Sequence, residues 1–276
     1  GSDEQRTIFY TSLYRTFHSP FQVTDSLMRR YLGTDGKPHR AEMQANYYSS
    51  WSLWDTYRTK FPLITLLDPA RSADIMQSLA QLYVTGKQDW STDYECVPTV
   101  RTEHAIATLL DAYRQGISIP NLDEAWAGMV REAERMPLKT PDQCLEASVD
   151  YWALGQLAQE TGRKDEALWW TQRGEQVFDS VWTKEFMIID STYTRMRGNG
   201  LYQGTRWQYR WGAPMYLKRM EQLVGSKVLL AQLEQFFQEE LYNQGNEPDI
   251  HVPFLFGRLG APEKTAPVVR SLATEV

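Results

Sequence analysis

The chain has 276 residues, 42% of them hydrophobic and 23% charged, which is enough apolar material for a sizeable core and excludes intrinsic disorder and fibrous repeats. Lys and Arg number 29 against 35 Asp and Glu, a net charge of −6, so nucleic acid, which needs clustered positive charge, is not an expected partner. No run approaches the roughly 18 apolar residues of a membrane-spanning helix, and the two cysteines, Cys96 and Cys144, define neither a disulfide framework nor a metal knuckle.

In chain order the pattern is helical nearly throughout. Residues 71–86 place Ile75, Leu79, Leu82 and Tyr83 at 3.6-residue spacing and stop at Gly86. Residues 102–115 repeat the device, with His104 on the apolar face beside Ile106, Leu109 and Leu110. Further helices are predicted over 123–135, 141–161, 164–181, 213–223 and 227–242, and a short hairpin over 186–195. Some connectors are tight, such as Gly162-Arg163, and others are long and aromatic, such as 87–100 and 182–212. Helix pairs with tight turns at one end and long loops at the other suggest an all-α toroid or solenoid in one domain, with function on the long loops. The stretch after Gly162-Arg163 is similar to one tetratricopeptide helix pair, but no 34-residue period recurs.

Aromatic content is the outlying quantity: 10 Trp, 15 Tyr and 10 Phe. Indoles and phenols fill cores, and they also stack on sugar rings. Trp51 and Trp54 lie three apart with Asp55 and Arg58 alongside, which reads either as a sugar platform or as a helix N-terminus with a solvated ion pair. Residues 202–211, Tyr-Gln-Gly-Thr-Arg-Trp-Gln-Tyr-Arg-Trp, form either a cleft lining or a structural plug. Asn246 and Glu247, in the turn Gly-Asn-Glu-Pro-Asp-Ile-His ending at His251, offer hard oxygen donors of the kind calcium prefers, or a helix cap. No nucleophile elbow, phosphate loop or His-Glu-x-x-His occurs, which disfavours serine hydrolases, nucleotide enzymes and zinc proteases.

Several segments carry a more specific likeness. Phe9-Tyr10-Thr11-Ser12-Leu13-Tyr14, Ser52-Leu53-Trp54-Asp55-Thr56-Tyr57-Arg58, Glu103-His104-Ala105 leading to Asp111-Ala112-Tyr113, Trp207-Gln208-Tyr209, and Gly245-Asn246-Glu247-Pro248 followed by Lys264-Thr265 stand in the order of the catalytic domain of glycoside hydrolase family 92, which the chain resembles over about residues 7–270. The resemblance implies a calcium-dependent, inverting exo-α-mannosidase built on an (α/α)6 toroid, of which this chain would be about the first two thirds. It implies Trp54 and Asp55 at a mannose subsite with Trp207 beside them, Asn246 and Glu247 on Ca2+, and His251 as a motif histidine, with Ile250 where the family usually has another. By the same analogy the protein works outside the cytoplasm, secreted or periplasmic.

Two departures from the family pattern matter. The family's general acid is a glutamate in Glu-Gly-Asn-x-Trp-Gln-Tyr, where this chain has Gln203-Gly204-Thr205-Arg206-Trp207-Gln208-Tyr209. An amide cannot protonate a leaving alcohol, a loss of about 10²–10⁴ in rate. A phosphate leaves as a weakly basic anion, and a neutral amide can donate to it where a carboxylate would repel it. Arg206 and Arg210, with Arg195 and Arg197 upstream, are candidates to bind that phosphate. The resemblance thus points to hydrolysis of mannose-α-1-phospho-6-mannose. The alternatives are an acid-to-amide variant of an ordinary exo-α-mannosidase, an inactive mannose-binding homologue, or a helical interaction scaffold. The second departure is that the family's acidic base loop and its N-terminal β-sandwich are expected to lie outside this chain, so the rest of the catalytic module is needed. Glu146 and Asp150 are on-helix acids that read equally well as sugar ligands.

Overall fold

The structure, a computed structural model, describes residues 1–41, 45–88, 90–95 and 102–274, in two compact units spanning residues 1–134 and 135–276. Cys96 and much of the 87–100 connector lie outside the described residues.

The first unit opens with helix α1 (Asp3–Thr16), started by a Ser2–Gln5 capping box. Strands β1 (Phe21–Gln22), β2 (Arg30–Leu32), β3 (Pro38–Arg40) and β4 (Tyr48–Ser49) follow. Strands β2 and β3 form an antiparallel hairpin with Tyr31 opposite His39, and β1 pairs antiparallel with β4. The Tyr31 ring stacks with that of Tyr47, centroids 3.8 Å apart, and with that of His39 at 5.5 Å. Helices α2 (Leu53–Thr56), α3 (Lys60–Leu67), α4 (Pro69–Thr85), α5 (Ala105–Arg114) and α6 (Leu122–Arg135) complete this part. Helix α4 shows why the periodic segments fold as they read. Asp68 caps it by accepting from the Arg71 amide, Pro69 sits where its missing N–H costs nothing, and Gly86 ends it at φ +112°. Its Ile75, Met76, Leu79, Leu82 and Tyr83 are buried. Gly128 of α6 lies directly on the Tyr83 carbonyl, leaving no room for a Cβ.

The second unit is organised on α7 (Pro141–Glu160) and α8 (Lys164–Glu185), joined by a three-residue turn in which Gly162 takes φ +84°. Two glycines let the helices approach. A Cβ on Gly155 would meet Thr171 Oγ1 at 2.6 Å, and one on Gly174 would come within 3.2 Å of the Trp152 backbone nitrogen. Short helix α9 (Arg206–Tyr209) has a Thr205–Gln208 capping box, and α10 (Leu217–Val224), α11 (Ser226–Gln238), α12 (Leu255–Arg258) and α13 (Thr265–Thr274) follow. No helix among the described residues is long and apolar enough to cross a membrane.

The expected fold class holds, all-α with little strand, but two local expectations are corrected. The hairpin is absent from 186–195 and present instead at β2–β3. Residues 186–195 close as a compact loop, because Phe186 ends α8, Asp190 accepts from the Thr192 amide and hydroxyl, and the Tyr193 hydroxyl donates to the Phe186 carbonyl at 2.5 Å. His104 is not inside a helix. It precedes α5 in the left-handed region, φ +67°, buried with its ring 4.3 Å from that of Tyr57.

Candidate active site

The residues singled out from the sequence fall in both units. In the first, Trp54 lies in the short helix α2 and is only 2% exposed, and Trp51 is buried just before it. The Asp55 carboxylate accepts from the Ser52 hydroxyl at 2.5 Å, and the Arg58 guanidinium lies 4.4 Å over the Tyr57 ring while donating to the Trp54 carbonyl. Burial fixes the Trp54 indole as a wall, not an open stacking platform, within this unit.

In the second unit, the loop between α8 and α9 carries Gln203. The side chain is exposed and the backbone sits in the left-handed region, φ +53°, which costs a non-glycine residue about 1–2 kcal/mol. Neighbouring side chains hold the loop there. Asp142, on the first turn of α7, accepts from the Tyr202 amide at 2.8 Å, and the Tyr209 hydroxyl donates to the Tyr202 carbonyl at 2.6 Å. The Asn246 amide donates to the Gln203 carbonyl at 2.6 Å, and Asn199 donates to the Gly204 carbonyl at 3.0 Å. Gly200, at φ +72°, lies against the Pro141 ring, where a Cβ would come within 2.7 Å.

The fold brings Asn246 onto the Gln203 backbone, a proximity the sequence does not predict, and it commits the arginines elsewhere. The Arg206 guanidinium donates to Glu185 at 2.8 Å and to the Thr192 hydroxyl at 3.2 Å, so a phosphate there would have to share it. That pairing holds the Glu185 carboxyl below its usual range. Arg210 is 0% exposed and cannot reach substrate. Its guanidinium is ringed by Trp211, Trp182, Trp207 and Tyr193 at 5.0–6.0 Å and donates to Gln232 at 2.8 Å. Among the described residues no carboxylate pairs with it, and burial lowers its pKa. Burial likewise pushes the Tyr193 phenol up to about 12. Trp207, 3% exposed, is a wall of this cage and so a core residue in this unit.

Asn246 and Glu247 are both half-buried on the turn before α12. With the Asn246 nitrogen committed to Gln203, its oxygen remains an acceptor, and beside the Glu247 carboxylate it fits part of an oxygen-rich calcium shell. Among the described residues no group of three or more His, Cys, Asp or Glu is placed to hold a metal, so further ligands would be carbonyls, water or other chain. His251 donates through Nε2 to the Trp211 carbonyl at 2.8 Å, which fixes the ring's orientation. On α7, Asp150 is buried and Glu146 half-buried. The sequence reading missed Asp142, Glu185, Asn199 and Tyr209. Asp142 looks like an ordinary first-turn acid, and nothing in the sequence signals a bond to a backbone sixty residues away.

Comparison with known proteins identifies these helical units as belonging to a glycoside hydrolase catalytic domain. The profile of the glycosyl hydrolase family 92 catalytic domain matches residues 1–144 and 141–276, and the chain belongs to that family. No curated protein matches the sequence. Among solved structures, the GH92 family glycosyl hydrolase ccman5 is similar with a TM-score of 0.85 and 26% identity, over 99% of this chain and 41% of that one. A family GH92 alpha-mannosidase from Bacteroides thetaiotaomicron is similar in fold, with a TM-score of 0.80 and 21% identity, over 98% of this chain and 42% of that one. A structure of the same mannosidase in complex with mannoimidazole has a TM-score of 0.77 and 21% identity, over 95% and 42%. The chain thus spans about two fifths of the length of these proteins.

Proposed function

We propose that this chain is part of the catalytic module of a calcium-assisted, inverting α-mannosyl hydrolase acting outside the cytoplasm, and that its substrate is a phosphodiester-linked mannose, mannose-α-1-phospho-6-mannose. The α-mannosidase structures similar to it support mannose as the released sugar. One observation carries the finer reading: Gln203 stands, exposed and held on a clamped loop, at the position where the family motif has its general acid. A neutral amide there suits a leaving group that needs no proton and tolerates no neighbouring negative charge. The Gln203 amide, not Arg210, is then the donor to the phosphate, with Arg206 available only at the expense of its bond to Glu185. When bound, calcium would supply positive charge and orient sugar hydroxyls, and Asn246 and Glu247 are the residues here that would help hold it.

The test uses the full-length protein and measures mannose release from mannose-α-1-phospho-6-mannose and from α-linked mannobiose. The wild type should act on the phosphodiester alone, and Gln203→Glu should gain activity on mannobiose while losing it on the phosphodiester. Comparable wild-type rates on both substrates would mean that another residue supplies the proton. No release from either would favour a mannose-binding homologue.

A further inference from the structure

A residue in the left-handed region relaxes to φ < 0 unless its surroundings over-determine it, and that relaxation swings the side chain away. Gln203 is such a residue, and its anchors are unequal. Tyr209 and Asn199 belong to the same local segment, and Asn246 sits half-buried on a turn rather than on a long helix. Asp142 is the one attached to a long helix. It is 8% exposed, and its two oxygens divide the work. Oδ1 accepts from the Thr140 hydroxyl at 2.5 Å and the Gln143 amide at 2.8 Å, closing the start of α7, while Oδ2 takes the Tyr202 amide. The packing of Gly200 on Pro141 joins the same two segments.

We infer that Asp142 is a positioning residue: through the Tyr202 amide it fixes residue 203 in its left-handed geometry and so sets the placement of the side chain at the acid position. This rests on the reading of residue 203 given above. In this role Asp142 acts only through its neighbour, with both carboxylate oxygens engaged by the protein.

Two measurements on the full-length protein test it. The first is a double-mutant cycle on whichever mannoside the wild type hydrolyses. Asp142→Ala should lower kcat on the order of 10²-fold, the cost of about 1 Å of misplacement, with KM little changed. In a Gln203→Ala background the same change should have no further effect on kcat. Thr140→Ala, which removes an Oδ1 partner and leaves the Oδ2 bond, should keep kcat near wild type. An equal fall in both backgrounds, or an effect confined to KM, would overturn the inference. The second is amide hydrogen exchange. Asp142→Ala should speed exchange at residues 202–204 while the body of α7 stays protected, and unchanged exchange at Tyr202 would overturn the clamp whatever the activity. If Asp142→Ala does not fold, Tyr209→Phe, which keeps the ring and loses the bond to the Tyr202 carbonyl, should give the same pattern more weakly. A wild type inactive on every mannoside would remove the proposed function, and the exchange result would still decide whether Asp142 holds residue 203.

Discussion

Arg210 offers a sharp test of how the second unit is held together. A guanidinium with no exposed surface has lost its hydration, an effective cost of several kcal/mol. Against that stand four aromatic faces at 5.0–6.0 Å, each contributing at best about 2 kcal/mol to a desolvated cation, and a charge-assisted bond to Gln232, about 1.5–3 kcal/mol. The two sides are of comparable order. Arg210→Met removes both at once and fills similar space with a polarizable chain, while Gln232, half-buried, can turn to water. It should cost no more than about 2 kcal/mol. Arg210→Lys keeps the charge, is more strongly hydrated, and loses the planar fork that lies against the rings and reaches Gln232. It should cost about 3 kcal/mol or more, the range for a buried charge left poorly compensated. Urea denaturation of the full-length protein, followed by tryptophan fluorescence, reads the effect directly because Trp182, Trp207 and Trp211 surround the site. If the lysine variant proves as stable as wild type, or more stable than the methionine variant, the cage is not what compensates the buried charge.

Other consequences are simpler to check. Gly128→Ala should destabilise by about 1–3 kcal/mol in a thermal or urea melt, because the new methyl meets the Tyr83 backbone rather than a side chain that can move. Glu185→Gln should cost about 1–2 kcal/mol at pH 7. Because the folded-state pKa of Glu185 is depressed, the stability it contributes is present above its unfolded value, near pH 4.3, and is lost as pH falls through the lower folded value. The gap between wild type and Glu185→Gln should therefore begin to narrow as melts are taken below about pH 4 and keep narrowing at still lower pH. Chelation of calcium should lower the Tm of the full-length protein, and Asn246→Ala should blunt that response. An unchanged Tm on chelation would detach Asn246 and Glu247 from metal binding.

The helices legible in the sequence are those whose apolar period meets real burial and whose ends carry their own signals. Helix α4 has Asp68, Pro69 and Gly86, and α7 and α8 are separated by Gly162. Helix α1 went unread because it buries no residue in this structure and its apolar positions follow no core-facing stripe. The segments 186–189 and 193–195 read as a hairpin because strand-favouring residues such as Ile189, Tyr193 and Thr194 also fit a loop folded by side chain to backbone bonds. At the site, residue types were readable and their commitments were not. Arginine density near Gln203 suggested phosphate binding, but burial and a glutamate twenty-one residues upstream decide what Arg210 and Arg206 do. The family motif located residue 203. Only the three-dimensional arrangement reveals that its backbone is strained and held.

The α7–α8 hairpin has a kinetic consequence. Its helices are long, its turn is three residues, and its contacts lie close in sequence, so closing it costs little chain entropy. It is the element expected to form first as this part of the chain collapses, giving high φ-values at Leu154 and Phe178. The bond from Asp142 to Tyr202 spans sixty residues and pays its loop closure only after that scaffold exists. The residue 203 loop should then be the last piece to settle and the first to let go, so slow unfolding of the helices and faster loss of the loop would be two separable events in the same molecule.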